Sequence, residues 1–379
     1  MGSIVEGMST ADREAVRSAV RAGVASGVTP GASLVYGDGD REVDRFAVGQ
    51  TQTRPPEGAR PIDSETRFDV ASVTKVAATT AVFLRLIERG AIGLDDPLRR
   101  WIPEATVSGA DRIRLRHLAG HASGYPAHVE FFRDLLAGEW CGAADPRDAM
   151  LRLVATTPLA YETGTQAIYS DLGMILLGFS LERAAGQRLD QLTRELVTEP
   201  LGMTATGFVD LLADPPAPRP HPVAATEICP YRGLVVGEVH DDNCHAAGGI
   251  LGHAGLFSTP PDLARYAVAI NRAARGEAGL FDPALVSHFA TTSEAPNTTR
   301  AIGFDRPSPE PLVSHAGELW PRDGFGHTGF TGCSVWMDPP RGRYAVFLSN
   351  RVHPTRTKRG ILEVRRSVMD AIVTALSAR

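Results

Sequence analysis

The chain carries its strand signals at its two ends and its helix signals between them. GASLVYG (31–37) and VDRFAVG (43–49) are apolar runs rich in β-branched and aromatic residues, joined by the polar turn DGDRE. Near the C-terminus GCSVWMD (332–338) and RYAVFLSN (343–350) have the same character. Apolar residues recur at helical spacing over Arg13 to Ala25, 144–156, 170–185 and 260–274, and a closing helix is predicted from about Thr357 to Leu376. Strands from both termini around a helical centre predict an α+β fold of the α/β-sandwich type, its antiparallel sheet flanked by helices. The expected division is a sheet domain from 12–90 and 295–379, with a mostly helical region and long loops over 91–294. The proline-rich stretch DPPAPRPHP (214–222) reads as an irregular surface excursion.

Bulk properties exclude several classes of function. Across 379 residues, 43% are hydrophobic and 22% charged, the profile of a soluble globular protein with room for a large core. The formal net charge is -5, and no basic block offers a footprint for nucleic acid. Cys141, Cys229, Cys244 and Cys333 lack metal-site spacing and read as reduced thiols. The N-terminal MGSIVEGMSTADREAV has no apolar core of a secretory signal, and no run of 18 apolar residues could span a membrane. A cytoplasmic protein is expected, with a periplasmic one as the alternative, and monomer and homodimer are both open.

Lysine usage singles out one position. Among 39 lysines and arginines only Lys75 and Lys358 are lysine. Lys75 stands three residues after Ser72 in FDVASVTKVAAT, where a helix is predicted from about Val73 to Arg89 and stopped by Gly90. Its buried face is expected to hold Val76, Thr79, Thr80, Phe83, Leu84 and Ile87. Residues i and i+3 share a helix face, so the two side chains can exchange a proton. A serine hydroxyl becomes a nucleophile when an adjacent base takes that proton. A desolvated lysine can serve; an arginine cannot, because it does not deprotonate in proteins. Unpaired N–H groups of the first helical turn could also receive an oxyanion. The plainer alternative is a serine cap beside a solvent lysine, and Lys358 in RTKRG is read in that plain way, as a charged helix start.

Downstream lie Tyr169-Ser170-Asp171 and, near the C-terminus, His327-Thr328-Gly329. The order SxxK, YxN, then KTG or HTG resembles the serine beta-lactamase and penicillin-binding protein superfamily. IRLRHLAGHASGYP and YETGTQAIYSDLGMILLGFSLERAAGQ resemble its class C beta-lactamase, DD-peptidase and family VIII esterase branch. The resemblance covers roughly residues 12 to 375 and implies a beta-lactamase/transpeptidase-like fold. By position it makes Ser72 the acylated nucleophile, Lys75 the group that takes or tunes its proton, and Tyr169 the base and shuttle toward the leaving group. A phenol with a pKa of about 10 would need a nearby cation to lower it, and Lys75 is the candidate. The two would titrate as a coupled pair. The backbone N–H groups of Ser72 and Phe330 would form the oxyanion hole, and Thr328 and Gly329 would let substrate pass close to the backbone.

Two positions depart from the pattern. His327 stands where the branch often has lysine, and a neutral imidazole attracts a substrate carboxylate less constantly. Asp171 stands where penicillin-active members usually place asparagine. A carboxylate accepts from Lys75 but cannot donate to a substrate amide, and it tends to keep Lys75 charged. Tyr169 then becomes the expected base, and beta-lactam turnover is disfavoured.

HDDNCHAAGGILGHAGLF (240–257) gathers imidazoles and carboxylates that could suit zinc or manganese, or could form a polar turn before a glycine-rich loop. It also resembles a phrase in esterase-like relatives of the same superfamily, expected beside the catalytic cleft without metal. Asp241, Asn243 and His253 are therefore read as cleft-lining or loop-organising, with no metal and no cofactor. Nucleotide and phosphate-loop fingerprints are absent from the sequence. The expected protein is a serine hydrolase acting through an acyl-enzyme on a small ester, amide or peptide, esterase-like by preference. A beta-lactamase or DD-carboxypeptidase is the enzymatic alternative, and a covalent sensor or binding domain the non-enzymatic one.

Overall fold

The structure, a computed structural model, describes residues 8–138, 142–213 and 222–378. Helix α1 (Thr10–Ala25) starts at Ser9, whose hydroxyl oxygen accepts the Asp12 N–H as an N-cap. Strands β1 (Gly31–Asp38) and β2 (Arg41–Gly49) follow as a hairpin. The middle of the chain contributes α2 (Ala81–Glu88), α3 (Pro146–Ala155), α4 (Asp171–Ala185), α5 (Asp242–Ala246) and α6 (Pro260–Ala274). The C-terminal part adds β3 (Phe325–Thr328), β4 (Ser334–Asp338), β5 (Arg343–Ser349) and α7 (Ile361–Ser377). The five strands form one sheet in the order β2-β1-β5-β4-β3. Each pairing is antiparallel, and β1 meets β5 in the register Leu34 to Phe347. The two termini therefore close one sheet, as predicted.

Side chains alternate across a strand, and that period sorts the core into two layers. Leu34, Tyr36, Trp336 and Phe347 face α1 and α7, where they pack with Val16, Val20, Val368 and Ile372. Val35, Val335, Val346 and Leu348 face the other way, into a larger core shared with the helical middle of the chain. Helix α4 runs through that core, with every residue from Leu172 to Leu181 buried.

One expectation changes, and one strand is added to those predicted. The segment after Ser72 is not one regular amphipathic helix. It is a tight 3₁₀ turn (Ala71–Val73), a wide π-type turn (Lys75–Thr80), then α2. Gly90 ends it at φ +68°, as predicted. Its residues from Val73 to Leu84 are all buried, and Ile87 only partly, because it lies inside the large core rather than on its surface. His327 and Thr328 precede the predicted strand at 332–338, which is β4, and they also lie within a strand of their own, β3, at the edge of the sheet. FGHT is short, polar and contains glycine, so it carried no strand signal.

Cys229, Cys244 and Cys333 are free and buried. Cys141, residues 1–7 and residues 214–221 of the proline-rich stretch lie outside the described residues. Among the described residues no helix is long and apolar enough to cross a membrane.

Candidate active site

The bend that presents Ser72 is built by Asp69. Its carboxylate accepts the Ala71 N–H at 2.8 Å and the His240 N–H at 2.6 Å. This holds Ala71 at φ +47°, a left-handed conformation that a residue with a Cβ seldom adopts. Ser72 follows, half-buried, where two cavities of about 290 and 300 Å³ meet; Ser72, Tyr169 and Phe330 line both.

Lys75 is 1% exposed. Its Nζ donates to Ser72 Oγ at 2.9 Å, to Asp171 Oδ1 at 2.8 Å and to the His253 carbonyl at 3.0 Å. An ammonium has three N–H donors, and these partners use all of them. Burial by itself would lower the lysine's pKa, but Asp171 and Tyr169 outweigh it and leave it raised. Burial likewise works to raise Asp171, yet Lys75 and a 3.4 Å contact with His128 keep its carboxyl far below the usual carboxylate range. For Tyr169 burial wins: the phenol's pKa is raised, and Lys75 offsets only part of it. The expectation that Lys75 lowers Tyr169 below its ordinary value is thus corrected. The resting site holds an ammonium, a carboxylate and a neutral phenol.

Tyr169 is packed tightly. The His121 ring lies 4.7 Å and the His327 ring 5.8 Å from its centroid, with Lys75 Nζ at 4.9 Å and the Arg300 guanidinium at 4.8 Å. His121 Nδ1 accepts the Ser170 N–H, and its carbonyl accepts the Ile168 N–H, so one residue braces the backbone on both sides of Tyr169. Ser170 then caps α4 by accepting the Gly173 N–H, which places Asp171 at the first turn of that helix.

The edge strand closes the other side. His327 Nδ1 lies 2.7 Å from the Thr328 carbonyl and must donate to it. Burial first, then Lys75 and Arg300, hold the imidazole's pKa well below normal, so the ring is neutral and offers no constant charge to a carboxylate. Gly329 is glycine for a reason other than substrate passage: a Cβ there would overlap the Val70 carbonyl of the serine bend. Phe330 follows in the turn between β3 and β4 and is 52% exposed. Thr331 ties this turn to the serine bend by donating to the Asp69 carbonyl at 2.7 Å.

The 240–257 segment divides its residues. Asp241 caps α5 through the Cys244 N–H and pairs with His253 Nε2 at 2.9 Å; both side chains line the cavity that also holds His128. Asn243 is buried away from it. It accepts the Phe132 N–H and donates to the Val129 carbonyl, so it organises a loop. Among the described residues no three His, Cys, Asp or Glu side chains are grouped to hold a metal ion. The predicted Ser72, Lys75, Tyr169 and Asp171 are brought together, with Thr328 and Phe330 facing them across the cavity lined by Arg300. Sequence reasoning did not single out His121, His128, Arg300, Arg351 or Arg365. His121 lies inside the GHASGYP phrase, which was a usable signal; the arginines had none, because arginine is the chain's ordinary cation.

The sequence profile of the family described as Beta-lactamase matches residues 16–369. An Escherichia coli protein provisionally named as a D-alanyl-D-alanine carboxypeptidase is 32% identical over 308 residues, covering 76% of this chain and 70% of that protein. A Bacillus subtilis protein named N-acetylmuramyl-L-alanine amidase is 30% identical over 350 residues, 86% of this chain and 78% of its own length. Among solved structures, a hydrolase with promiscuous acyltransferase activity superposes with a TM-score of 0.72 at 23% identity, over 96% of this chain and 100% of that one. The octameric penicillin-binding protein homologue of Pyrococcus abyssi gives 0.71 at 20% identity, over 97% and 78%.

Proposed function

The chain belongs to the beta-lactamase family and is a serine hydrolase of that type; from that premise we propose that Ser72 carries the acyl group, with Lys75 and Tyr169 managing its proton. The observation that carries this assignment is the saturated ammonium of Lys75, 2.9 Å from Ser72 Oγ and anchored by Asp171 and a backbone carbonyl. Because Lys75 donates to Ser72 Oγ, the serine's own proton must point elsewhere, and Tyr169 is the oxygen within hydrogen-bonding influence of Ser72. The reactive form has lost one proton from the Lys75–Tyr169 pair, as phenolate beside ammonium. Ser72 Oγ attacks the carbonyl carbon while its proton passes to Tyr169. The N–H groups of Ser72 and Phe330 receive the oxyanion. Tyr169 then protonates the departing oxygen or nitrogen, and water repeats the sequence on the acyl-enzyme.

Two cavities of about 290 and 300 Å³ suit a small acyl part and a small leaving group. Esters are preferred because Asp171, as a carboxylate, cannot donate to the acyl-amide that many amide substrates present. Hydrolysis of a small D-peptide is the second reading. It is favoured by Arg300 and Arg351 in the cavity beside Thr328, where a leaving-group carboxylate could rest, and by the name of the Escherichia coli relative.

The test is turnover of p-nitrophenyl acetate and butyrate by the protein and by Ser72→Ala, with mass spectrometry of the trapped acyl-enzyme. Ester turnover and a modified Ser72 peptide are expected, both lost in Ser72→Ala. Undiminished turnover in that variant would end the assignment. Faster release of D-alanine from D-alanyl-D-alanine peptides than of nitrophenol would favour the second reading, and stable labelling without turnover would point to a covalent sensor.

A further inference from the structure

Arg365 is 3% exposed on α7, and its guanidinium bonds backbone carbonyls and a histidine rather than a carboxylate. A guanidinium in that position is costly unless its donors are satisfied. Here they are satisfied almost entirely by one turn. Nη2 donates to the Gly329 carbonyl at 2.6 Å and to the Cys333 carbonyl at 2.7 Å, and Nε to the Gly332 carbonyl at 3.3 Å. Nη1 reaches His315 Nδ1 at 3.2 Å. A second arginine holds the residue between: Arg351 Nε donates to the Phe330 carbonyl at 2.8 Å, and its guanidinium lies 4.3 Å from the centre of the Phe330 ring.

The consequence follows from peptide geometry. The carbonyl of Gly329 and the N–H of Phe330 belong to the same peptide unit. That unit is planar and trans, so its C=O and N–H point in opposite directions. Holding the Gly329 carbonyl on Arg365 therefore aims the Phe330 N–H away from Arg365. A cation bonded to the carbonyl oxygen also polarises the amide and makes its N–H a stronger donor. The same turn is fastened to the serine bend from the other side by Thr331, and Gly329 packs on the Val70 carbonyl.

We infer that Arg365, assisted by Arg351, is a positioning residue for the reaction: it orients and polarises the Gly329–Phe330 peptide so that the Phe330 N–H serves as an oxyanion donor opposite Ser72. This rests on the assignment of Ser72 as nucleophile and of Phe330 N–H as donor. It gives the buried cation a purpose. Burial pulls its pKa down to about 10, which still leaves it charged near neutrality.

The experiment compares wild type with Arg365→Gln and Arg365→Lys in the full chain. It measures kcat and KM on p-nitrophenyl butyrate, the carbonyl stretch of the acyl-enzyme by infrared difference spectroscopy, and the thermal midpoint. In folded Arg365→Gln, kcat/KM should fall roughly ten- to hundredfold through kcat, a share of what losing a whole oxyanion donor costs. The acyl carbonyl stretch should move to higher wavenumber, because the bond is less polarised. Arg365→Lys, which keeps the charge with fewer donors, should fall between. A folded Arg365→Gln with unchanged stretch overturns the inference even if kcat drops, since the residue would then be only structural. If Arg365→Gln does not fold, Arg365→Lys decides on the same two readouts. A wild-type acyl carbonyl already at its value in water would instead refute the oxyanion-hole assignment itself.

Discussion

In the proposed reaction, Lys75 and Asp171 set where the proton sits at the scale of single residues. Asparagine at position 171 would leave Lys75 less firmly charged; aspartate, 2.8 Å away, holds the ammonium in place, and on the proposed mechanism that leaves Tyr169 to move the proton. Both Lys75 and Tyr169 have raised pKa values, and the reactive form needs one proton removed from the pair. For wild type, kcat/KM on a neutral ester is therefore expected still to be climbing at about pH 9. A plateau reached below neutrality would contradict the protonation states described. Asp171→Asn removes an anion that raises both Lys75 and Tyr169, so the first proton leaves the pair more readily and the rising limb should move to lower pH. A pH–rate profile measures this directly, and a limb that stays in place would show that Asp171 does not set the proton's position. The SxxK spacing and the rarity of lysine made Lys75 visible in the sequence, and the resemblance of the Tyr169-Ser170-Asp171 motif made Tyr169 and Asp171 visible. The outcome for Tyr169 was not visible, because burial is a property of the surroundings and here it outweighs the neighbouring charge.

At the scale of elements, the decisive contacts are between backbones that pass very close. The 252–253 segment threads between α4 and the turn that carries Lys75. The Gly252 carbonyl accepts Thr79 Oγ1 at 2.7 Å, the His253 carbonyl accepts Lys75, and a Cβ on Gly252 would overlap the Met174 carbonyl of α4. Gly252→Ala is expected to cost about 1–3 kcal/mol by overpacking and to lower kcat as well, because the carbonyl that positions Lys75 must shift. Denaturant unfolding and steady-state kinetics on the same preparation check both. A variant with lowered stability and wild-type kcat would separate the segment from catalysis. The glycine-rich phrase was noticed in the sequence as a cleft neighbour. Its role as a wedge was not legible, since a glycine chosen for close approach reads like one chosen for a turn.

For the whole molecule, the sheet isolates two tasks. Its outer face packs on α1 and α7 through a small core that includes Ile372 and Trp336, while the inner face belongs to the larger core that surrounds Ser72. Ile372→Ala is expected to lose about 2–5 kcal/mol, because a fully buried side chain leaves a cavity. Tryptophan fluorescence during urea unfolding reads the loss, with activity per folded molecule unchanged. A large fall in kcat without loss of stability would mean that the outer layer reaches the site. Arg365 is the point where such reach is built, since α7 carries it through to the turn at Phe330.

The sequence by itself determined that both termini share one antiparallel sheet and that one of its two lysines stands one turn after Ser72, while the resemblance of its motifs supplied Tyr169 and the expectation of a reactive serine. Those features depend on residue type and order, on period-two alternation and on spacing within one turn. Only the tertiary structure decided the charge each group carries, the irregular winding from Ala71 to Thr80, the place of His327 inside an edge strand, and the arginines gathered around the 329–333 turn. These depend on desolvation and on contacts between segments up to hundreds of residues apart, for which a linear pattern holds no signal.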